Sequence, residues 1–184
     1  MNIVRTKWFK ISALIISLGV RCTGLWFWGN TSGPISDYAP LRDTQEILNI
    51  FKRDRYWLLA SEDYSPEFML KYHAPNQELR YMGRLNIKVM HEKEKFVGFT
   101  AFYMKAPGFG SLLFLDVNPE FRGKQKGYAE KLLKYALEQL KAMGAEYVQL
   151  CTRVDNKPAR GLYRRVGFHE ISEDDGFIYY QYDF

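Results

Sequence analysis

The sequence predicts a single α/β domain of the α+β kind, and three observations carry that expectation. Two partly alternating apolar runs, Leu85 to Glu92 and Lys95 to Met104, are joined by a short polar segment, as in a strand hairpin. A long amphipathic helix begins after Gly127. A strand, a shorter helix and a last hairpin follow it. A chain of 184 residues suits one such core, since domains cluster at about 100 to 150 residues and run larger.

Each element has a local signal. Asp43-Thr44-Gln45-Glu46 sets an acidic residue three before a glutamate, which resembles a capping box opening a helix through Ile47, Leu48, Ile50 and Phe51. Ser65-Pro66 is a second helix start, because proline fits the first helical turn. Gly110 to Val117 reads as a third strand after the hairpin. Beyond Gly127, Ala129, Leu132, Leu133, Ala136, Leu137, Leu140 and Met143 recur at the spacing of one buried helical face, and Gly144 stands at the C-terminal cap. Glu130 and Lys134 pair one turn apart on the solvated face. Tyr147 to Val154 reads as a buried strand, and Pro158 opens a helix whose Ala159, Leu162, Tyr163 and Val166 form one stripe. Gly167 ends it, and Asp174-Asp175-Gly176 is the turn of a hairpin joining Phe168 to Ile171 with Phe177 to Tyr182.

At 47% hydrophobic and 26% charged residues, the composition is that of a globular protein and excludes disorder over most of the chain. The net charge of +5 favours a polyanionic partner: nucleic acid, anionic lipid or a phosphorylated cofactor. Cys22 and Cys151 make no disulfide framework, which fits a reducing, cytoplasmic location. His73, His91 and His169 lack the close pairing a zinc site uses, so no metal is expected.

Residues 1–33 form an apolar N-terminal segment. Arg5, Lys7 and Lys10 precede the apolar run Ile11 to Val20, Arg21 interrupts it, and Leu25-Trp26-Phe27-Trp28 resumes it. The uninterrupted run is shorter than the about 20 apolar residues of a spanning helix, and Arg21 would be costly in mid-span. An export signal or anchor, a segment on a membrane surface through residues 8–28, and an arm packed on the domain are the three readings, and the last two fit better than spanning. Asn30 to Pro34 is the linker into a domain covering residues 34–184.

Two stretches carry chemistry. In Leu115-Asp116-Val117-Asn118-Pro119-Glu120-Phe121-Arg122-Gly123-Lys124-Gln125-Lys126-Gly127-Tyr128-Ala129, a strand stops at Pro119 and a basic glycine loop leads into a helix N-terminus. The first-turn amides lack intrahelical partners and the helix dipole favours negative charge, so this is an anion cradle or, in the plain reading, a solvated basic turn. Gly123 and Gly127 allow close backbone approach, and Arg122, Lys124 and Lys126 add charge. In the second stretch, Val154 to Phe168, Asn156 can cap a helix, Tyr163 can fill a core and Gly167 can terminate.

The two stretches in this order, separated by a helix and a strand, resemble the GNAT superfamily of acyl-CoA-dependent N-acyltransferases. The resemblance spans about Leu41 to Phe184 in element order and is sharp at Leu115 to Ala129 and Asn156 to Phe168. It implies the acyl-CoA N-acyltransferase fold, a three-layer α-β-α arrangement with a mixed, mostly antiparallel sheet splayed at the cofactor. The family's loop reads Arg or Gln, two residues, Gly, one residue, Gly or Ala. Lys124-Gln125-Lys126-Gly127-Tyr128-Ala129 fits when counted back from the helix; counted forward from Pro119, Arg122 comes first and two extra residues precede Gly127. Asn156, Ala159 and Tyr163 fit the family's Asn, two residues, Ala, three residues, Tyr.

By this resemblance the cofactor is acetyl-CoA, with Gly123, Gln125 and the amides of Lys126 to Ala129 around the pyrophosphate, Asn156 and Ala159 along the pantetheine arm, and Leu115 and Val117 offering backbone to it. The implied reaction is direct attack of an uncharged primary amine on the acetyl thioester. A backbone amide near Val117 would polarise the carbonyl, and Tyr163 would protonate the departing thiolate. Some members place a base six residues before the position of Val117, which here is Ser111, so the base is unassigned. The acceptor is a small-molecule or peptide amine, read mainly by Tyr38 to Gln77 and the last hairpin, and a homodimer is an allowed assembly. A catalytically silent acyl-CoA-binding or partner-binding domain is the alternative. Nucleic acid is not an expected partner, because no groove-entering helix or basic surface interleaved with aromatics is present. Removal of residues 1–33 is expected to leave acetyl-CoA affinity unchanged; a folded truncated protein that no longer binds would make the segment part of the site.

Overall fold

The computed structural model describes residues 34–77, 83–123 and 125–184. The expectations for residues 1–33, including the linker start and the membrane-surface contact, lie outside them. Seven strands form one sheet in the order β1-β2-β3-β4-β5-β7-β6: β1 (Ile35–Asp37), β2 (Asn86–Glu92), β3 (Lys95–Ala106), β4 (Phe109–Val117), β5 (Tyr147–Arg153), β6 (His169–Asp174) and β7 (Phe177–Asp183). Every neighbouring pair is antiparallel except β4 and β5.

Helices cover both faces. On one, α1 (Pro40–Arg53) and α3 (Pro66–Tyr72) bury Ile47, Ile50, Phe51, Met69 and Leu70 against Ile87, Val89, Phe99, Ala101 and Phe114. On the other, α4 (Tyr128–Ala142) and α5 (Lys157–Val166) bury Leu133, Ala136, Leu137, Leu140, Leu162 and Tyr163 against Phe102, Leu112, Val148, Leu150, Ile178 and Tyr180. The result is the three-layer mixed α/β architecture that the sequence predicts.

Local chemistry sets the element ends. Ser65 Oγ accepts the Phe68 amide at 3.1 Å and so caps α3. The β2–β3 turn places Lys93 and Glu94 at positive φ, as do Asp175 and Gly176 in the last hairpin, which suits the twist of tight antiparallel hairpins. Glu130 and Lys134 form their one-turn pair at 2.7 Å. The first helix departs from the expectation: Pro40 begins it, Ala39 is its cap residue, and the buried Asp43 reaches back to accept the Ala39 amide at 2.7 Å. A capping pattern was therefore present, but the acidic residue serves its far end. Two short elements, β1 and α2 (Arg55–Leu58), carry no sequence period of their own. Met143 is exposed, because α4 has already ended, and β5 buries only one side, leaving Cys151 exposed.

The strand partners around β4 position the site. Ala101 lies opposite Phe114 but Phe102 lies opposite Leu112, so Leu113 is an extra residue, a β-bulge. Consecutive side chains normally alternate between faces, yet Leu113 and Phe114 both pack on the α1 side. From there the phase is reset, with Leu115 and Val117 toward α4. On the far side of the bulge, β4 pairs with β5 only through Phe109 to Ser111 with Tyr147 to Gln149. Beyond these residues the strands part.

Gly98 lies opposite Val117 across this segment. A β-carbon there would stand 2.3 Å from the Asp116 carbonyl oxygen and 2.9 Å from the Val117 α-carbon, both backbone atoms that move only with the strand. Gly98→Ala is expected to destabilise the protein by about 1–3 kcal/mol, read as a lower urea midpoint at unchanged slope. An unchanged midpoint would mean that β4 is free to shift away from β3.

Candidate active site

The parted strands open a cleft of about 450 Å³. Its walls include Leu115 and Val117 of β4, Gly123 and Gly127 of the loop, Ala129 of α4, and Asn156, Ala159 and Tyr163 at the start and middle of α5. The two stretches separated in sequence thus meet across one opening.

Backbone direction at β4 follows from the ladder. The Asn118 amide donates to the Val97 carbonyl at 2.7 Å, and in an antiparallel pair such bonds occur at every second residue. Residues 116 and 114 therefore turn their amides and carbonyls toward β3, whereas Leu115 and Val117 turn theirs toward the gap. The Val117 carbonyl accepts Arg122 Nε at 2.6 Å, which folds the loop back onto the strand end.

At the loop, Gly127 has φ 64° and Gly123 φ 137°, the left-handed region that favours glycine. Among the described residues a β-carbon on either would meet no atom within 4 Å, so the space above this backbone is open to them. The helix ladder of α4 begins with the Lys131 amide on the Gly127 carbonyl at 3.0 Å, and the amides of Ala129 and Glu130 precede it. An open glycine backbone, a helix N-terminus and a cleft continuing along α5 fit a phosphorylated thioester cofactor.

Side chains in the loop are disposed less uniformly than the sequence implies. Arg122 lines the cleft, but its guanidinium is held by Asp54 at 2.7 Å and Asp116 at 3.0 Å, so its charge is already matched. Lys126 bonds the Glu120 carbonyl at 3.2 Å and lies over the rings of Phe121 and Tyr128. Gln125 and Lys126 are exposed and are not among the cleft walls. Lys124 lies outside the described residues. Tyr128, also a cleft residue, buries its ring beside Val117 and Leu132 and donates its hydroxyl to Glu92 at 2.7 Å.

On α5, Asn156 Oδ1 accepts the Ala159 amide at 3.3 Å and caps the helix. Its terminal NH₂ group remains as a donor beside the cleft. Tyr163 is buried, and its hydroxyl takes no hydrogen-bond partner among the described residues. Burial holds its phenol well above the ordinary range, with the nearby Cys151 thiol and Asp116 adding to the effect. It is a group that stays protonated.

Other residues of the cleft have weaker sequence signals: Trp57, Asp116, Phe121, Glu130, Pro158, Leu162 and Arg165. Trp57 belongs to α2, which is tied to β5 by Arg153. That side chain bonds the carbonyls of Tyr56 and Leu59, with its guanidinium 4.1 Å from the Tyr56 ring centre and 4.8 Å from that of Phe177. Tyr56 adds a bond to Asp155 at 3.0 Å. No sequence motif marks this arrangement, because it joins residues nearly a hundred positions apart. Among the described residues no cluster of His, Cys, Asp and Glu is placed to hold a metal ion, and no helix is long and apolar enough to cross a membrane.

Comparisons with known proteins agree with this geometry. The profile of the acetyltransferase (GNAT) family matches residues 44–168. The uncharacterized N-acetyltransferase YhfO of Bacillus subtilis is 29% identical over 77% of this chain and 92% of its own length. The [ribosomal protein bS18]-alanine N-acetyltransferase of Haemophilus ducreyi is 35% identical over 53% of this chain, covering 62% of that protein. The crystal structure of the PaiA N-acetyltransferase of Thermoplasma acidophilum in complex with coenzyme A superimposes with a TM-score of 0.62 at 17% identity, over 82% of this chain and 98% of that one, and shows the shared fold. The chain belongs to the acetyltransferase (GNAT) family and is an acyltransferase that uses acetyl-CoA.

Proposed function

We propose that the protein transfers the acetyl group of acetyl-CoA to a primary amine on a small molecule or a peptide, by direct attack within the cleft between β4 and β5. The observation that carries this reading is Tyr163, a buried phenol on the cleft wall whose hydroxyl is unpaired among the described residues. An unpartnered donor at that place supports chemistry over a silent binding domain. The name of the H. ducreyi relative supports an alanine amine on a protein as one acceptor to test.

Bound acetyl-CoA supplies an acetyl thioester, whose carbonyl carbon accepts the amine and whose sulfur leaves. The chain's part is to hold and polarise it. Gly123, Gly127 and the first-turn amides of α4 receive the pyrophosphate; Asn156, Ala159 and the Leu115 backbone hold the pantetheine arm. The Val117 amide, turned into the gap by the ladder, donates to the carbonyl oxygen as it gains charge. Tyr163 gives its proton to the departing sulfur. Thiol release measured against polyamines, aminoglycosides, amino acids and peptide N-termini tests the reading, and tight acetyl-CoA binding without turnover on any of them would overturn it.

Gly127→Val puts a branched side chain into the open space above the loop and forces valine into the left-handed region, at a cost of about 1–2 kcal/mol. Acetyl-CoA affinity is expected to fall by roughly tenfold or more while the circular-dichroism spectrum stays native. Unchanged affinity would remove the loop from the cofactor site.

Tyr163→Phe keeps the ring packed on Phe168 and Tyr180 and removes only the hydroxyl. Turnover is expected to fall by roughly 10²- to 10⁴-fold with acetyl-CoA affinity little changed. Full activity across the pH range would assign the proton to water or another hydroxyl.

A further inference from the structure

An ammonium acceptor must lose a proton before it attacks, and Ser111 offers no basic group for this. Ser111 also lies at the closed end of the gap, paired with Tyr103 and Gln149. Asp116, at the open end, has the chemistry that Ser111 lacks. It adjoins Val117 and lines the cleft; alternation sets it on the opposite strand face from Leu115 and Val117, and the bulge makes that face the α1 side. Its Oδ1 accepts Arg122 Nη2 at 3.0 Å. Among the described residues its Oδ2 takes no donor, and Arg160 Nε is there the one side-chain polar atom that is both sealed and unpartnered. The second carboxylate oxygen is therefore open to the cleft.

We propose that Asp116 is the general base that takes the proton from the acceptor's ammonium group. This assignment rests on the amine-transfer reading above. The other acidic groups nearby are already engaged. Asp54 Oδ2 accepts Arg53 Nε at 2.8 Å, Arg53 Nη2 at 2.7 Å and Arg122 Nη2 at 2.7 Å, and Glu130 pairs with Lys134 at 2.7 Å. Asp54 carries two guanidinium groups and is not among the cleft walls, whereas Asp116 carries one and lines the cleft.

The proton and electron count closes. Asp116 takes one proton from the ammonium and passes it to solvent through the cleft. The nitrogen lone pair forms the N–C bond, the C–S bond breaks with its electron pair on sulfur, and Tyr163 protonates that sulfur. The second nitrogen proton is lost to solvent, and the phenolate recovers one in turn. Amine in its ammonium form and acetyl-CoA thus give the N-acetyl product, free thiol and one proton.

The charged and titratable groups facing Asp116 are Arg53 and Asp54 from the end of α1, Arg122 from the loop and Tyr163 from α5. Burial pushes the carboxyl up to about 6, with Arg122 opposing and Asp54 adding. The carboxylate is the active form, so kcat/KM of the wild type rises as pH climbs through that value and then levels.

The test compares the full-length wild type with Asp116→Asn, which still offers Arg122 an acceptor oxygen. Thiol release from acetyl-CoA is followed with 2-phenylethylamine, an ammonium at neutral pH, and with hydroxylamine, which is largely uncharged there. For 2-phenylethylamine, kcat/KM is expected to fall by roughly 10²- to 10⁴-fold and the limb near pH 6 to disappear. Hydroxylamine turnover and acetyl-CoA affinity are expected to stay within a few-fold. Equal losses on both nucleophiles with weaker acetyl-CoA binding would make Asp116 an anchor for Arg122 and overturn the assignment, as would an unchanged rate with 2-phenylethylamine. If the asparagine variant does not fold, Asp116→Glu takes its place and must keep the acidic limb. A wild type inert toward both nucleophiles and toward the wider amine panel would overturn the amine-transfer reading itself, and the base with it.

Discussion

Beyond Ser111 and Gln149 the two central strands stop sharing hydrogen bonds, and nearly every feature of the site depends on that separation. A sheet ordinarily pairs its strands along their length, because an unpaired backbone amide or carbonyl removed from water costs free energy. Here β5 keeps a full antiparallel partner in β7 from Tyr147 to Arg153, and β4 keeps one in β3 up to Val117. Each strand therefore loses bonding on one side only. The Leu113 bulge lies two residues beyond Ser111, the last residue of β4 paired with β5, and bulges bend a strand and strengthen its twist. The backbone of Leu115 and Val117 is left facing an opening that a ligand with its own amides and carbonyls can satisfy.

The bulge also decides which side chains meet at the opening. Without the extra residue, strict alternation would set Leu115 and Val117 on the face that holds Phe114 and turn Asp116 toward α4. With it, the apolar pair joins the α4 side and the carboxylate meets Asp54 and Arg122. Arg122 then links three separated pieces of chain: the end of α1, the strand, and the loop. Its two carboxylate partners are largely buried while the guanidinium is exposed, so water screens part of the attraction and the arrangement contributes more to geometry than to stability.

Sequence periodicity reached the long elements well. Leu132, Leu133, Ala136, Leu137 and Leu140 are all buried on α4, as their spacing implies, and the hairpin turns fall where Lys93-Glu94 and Asp175-Gly176 allow positive φ. What stayed hidden depends on contacts across the fold. Asp43 looks like a cap residue until Pro40 is seen to start the helix, and α2 is too short to show any period. Asn156, Ala159 and Tyr163, which the family resemblance singles out, line the cleft together because a helix presents residues three and four apart on one side. Trp57 and Asp116 had no such marker. Basic residues in the loop misled most, since charge in a sequence says nothing about whether a carboxylate has already claimed it, as Asp54 and Asp116 have claimed Arg122.

The same burial acts on two groups at the opening and leaves them in opposite protonation states. Removal from water disfavours the charged form of any acid, so it raises both the Tyr163 phenol and the Asp116 carboxyl. The phenol starts near 10 and moves further from neutrality, which keeps it protonated. The carboxyl starts near 4 and is lifted only to about 6, because Arg122 stabilises its charge while Asp54 works against it. One residue is thereby kept neutral and the other ionised at neutral pH within the same cleft, the two states that the proposed acid and base roles need. Arg122 is the element that keeps them apart: its guanidinium holds the carboxyl below the point to which burial and Asp54 would raise it.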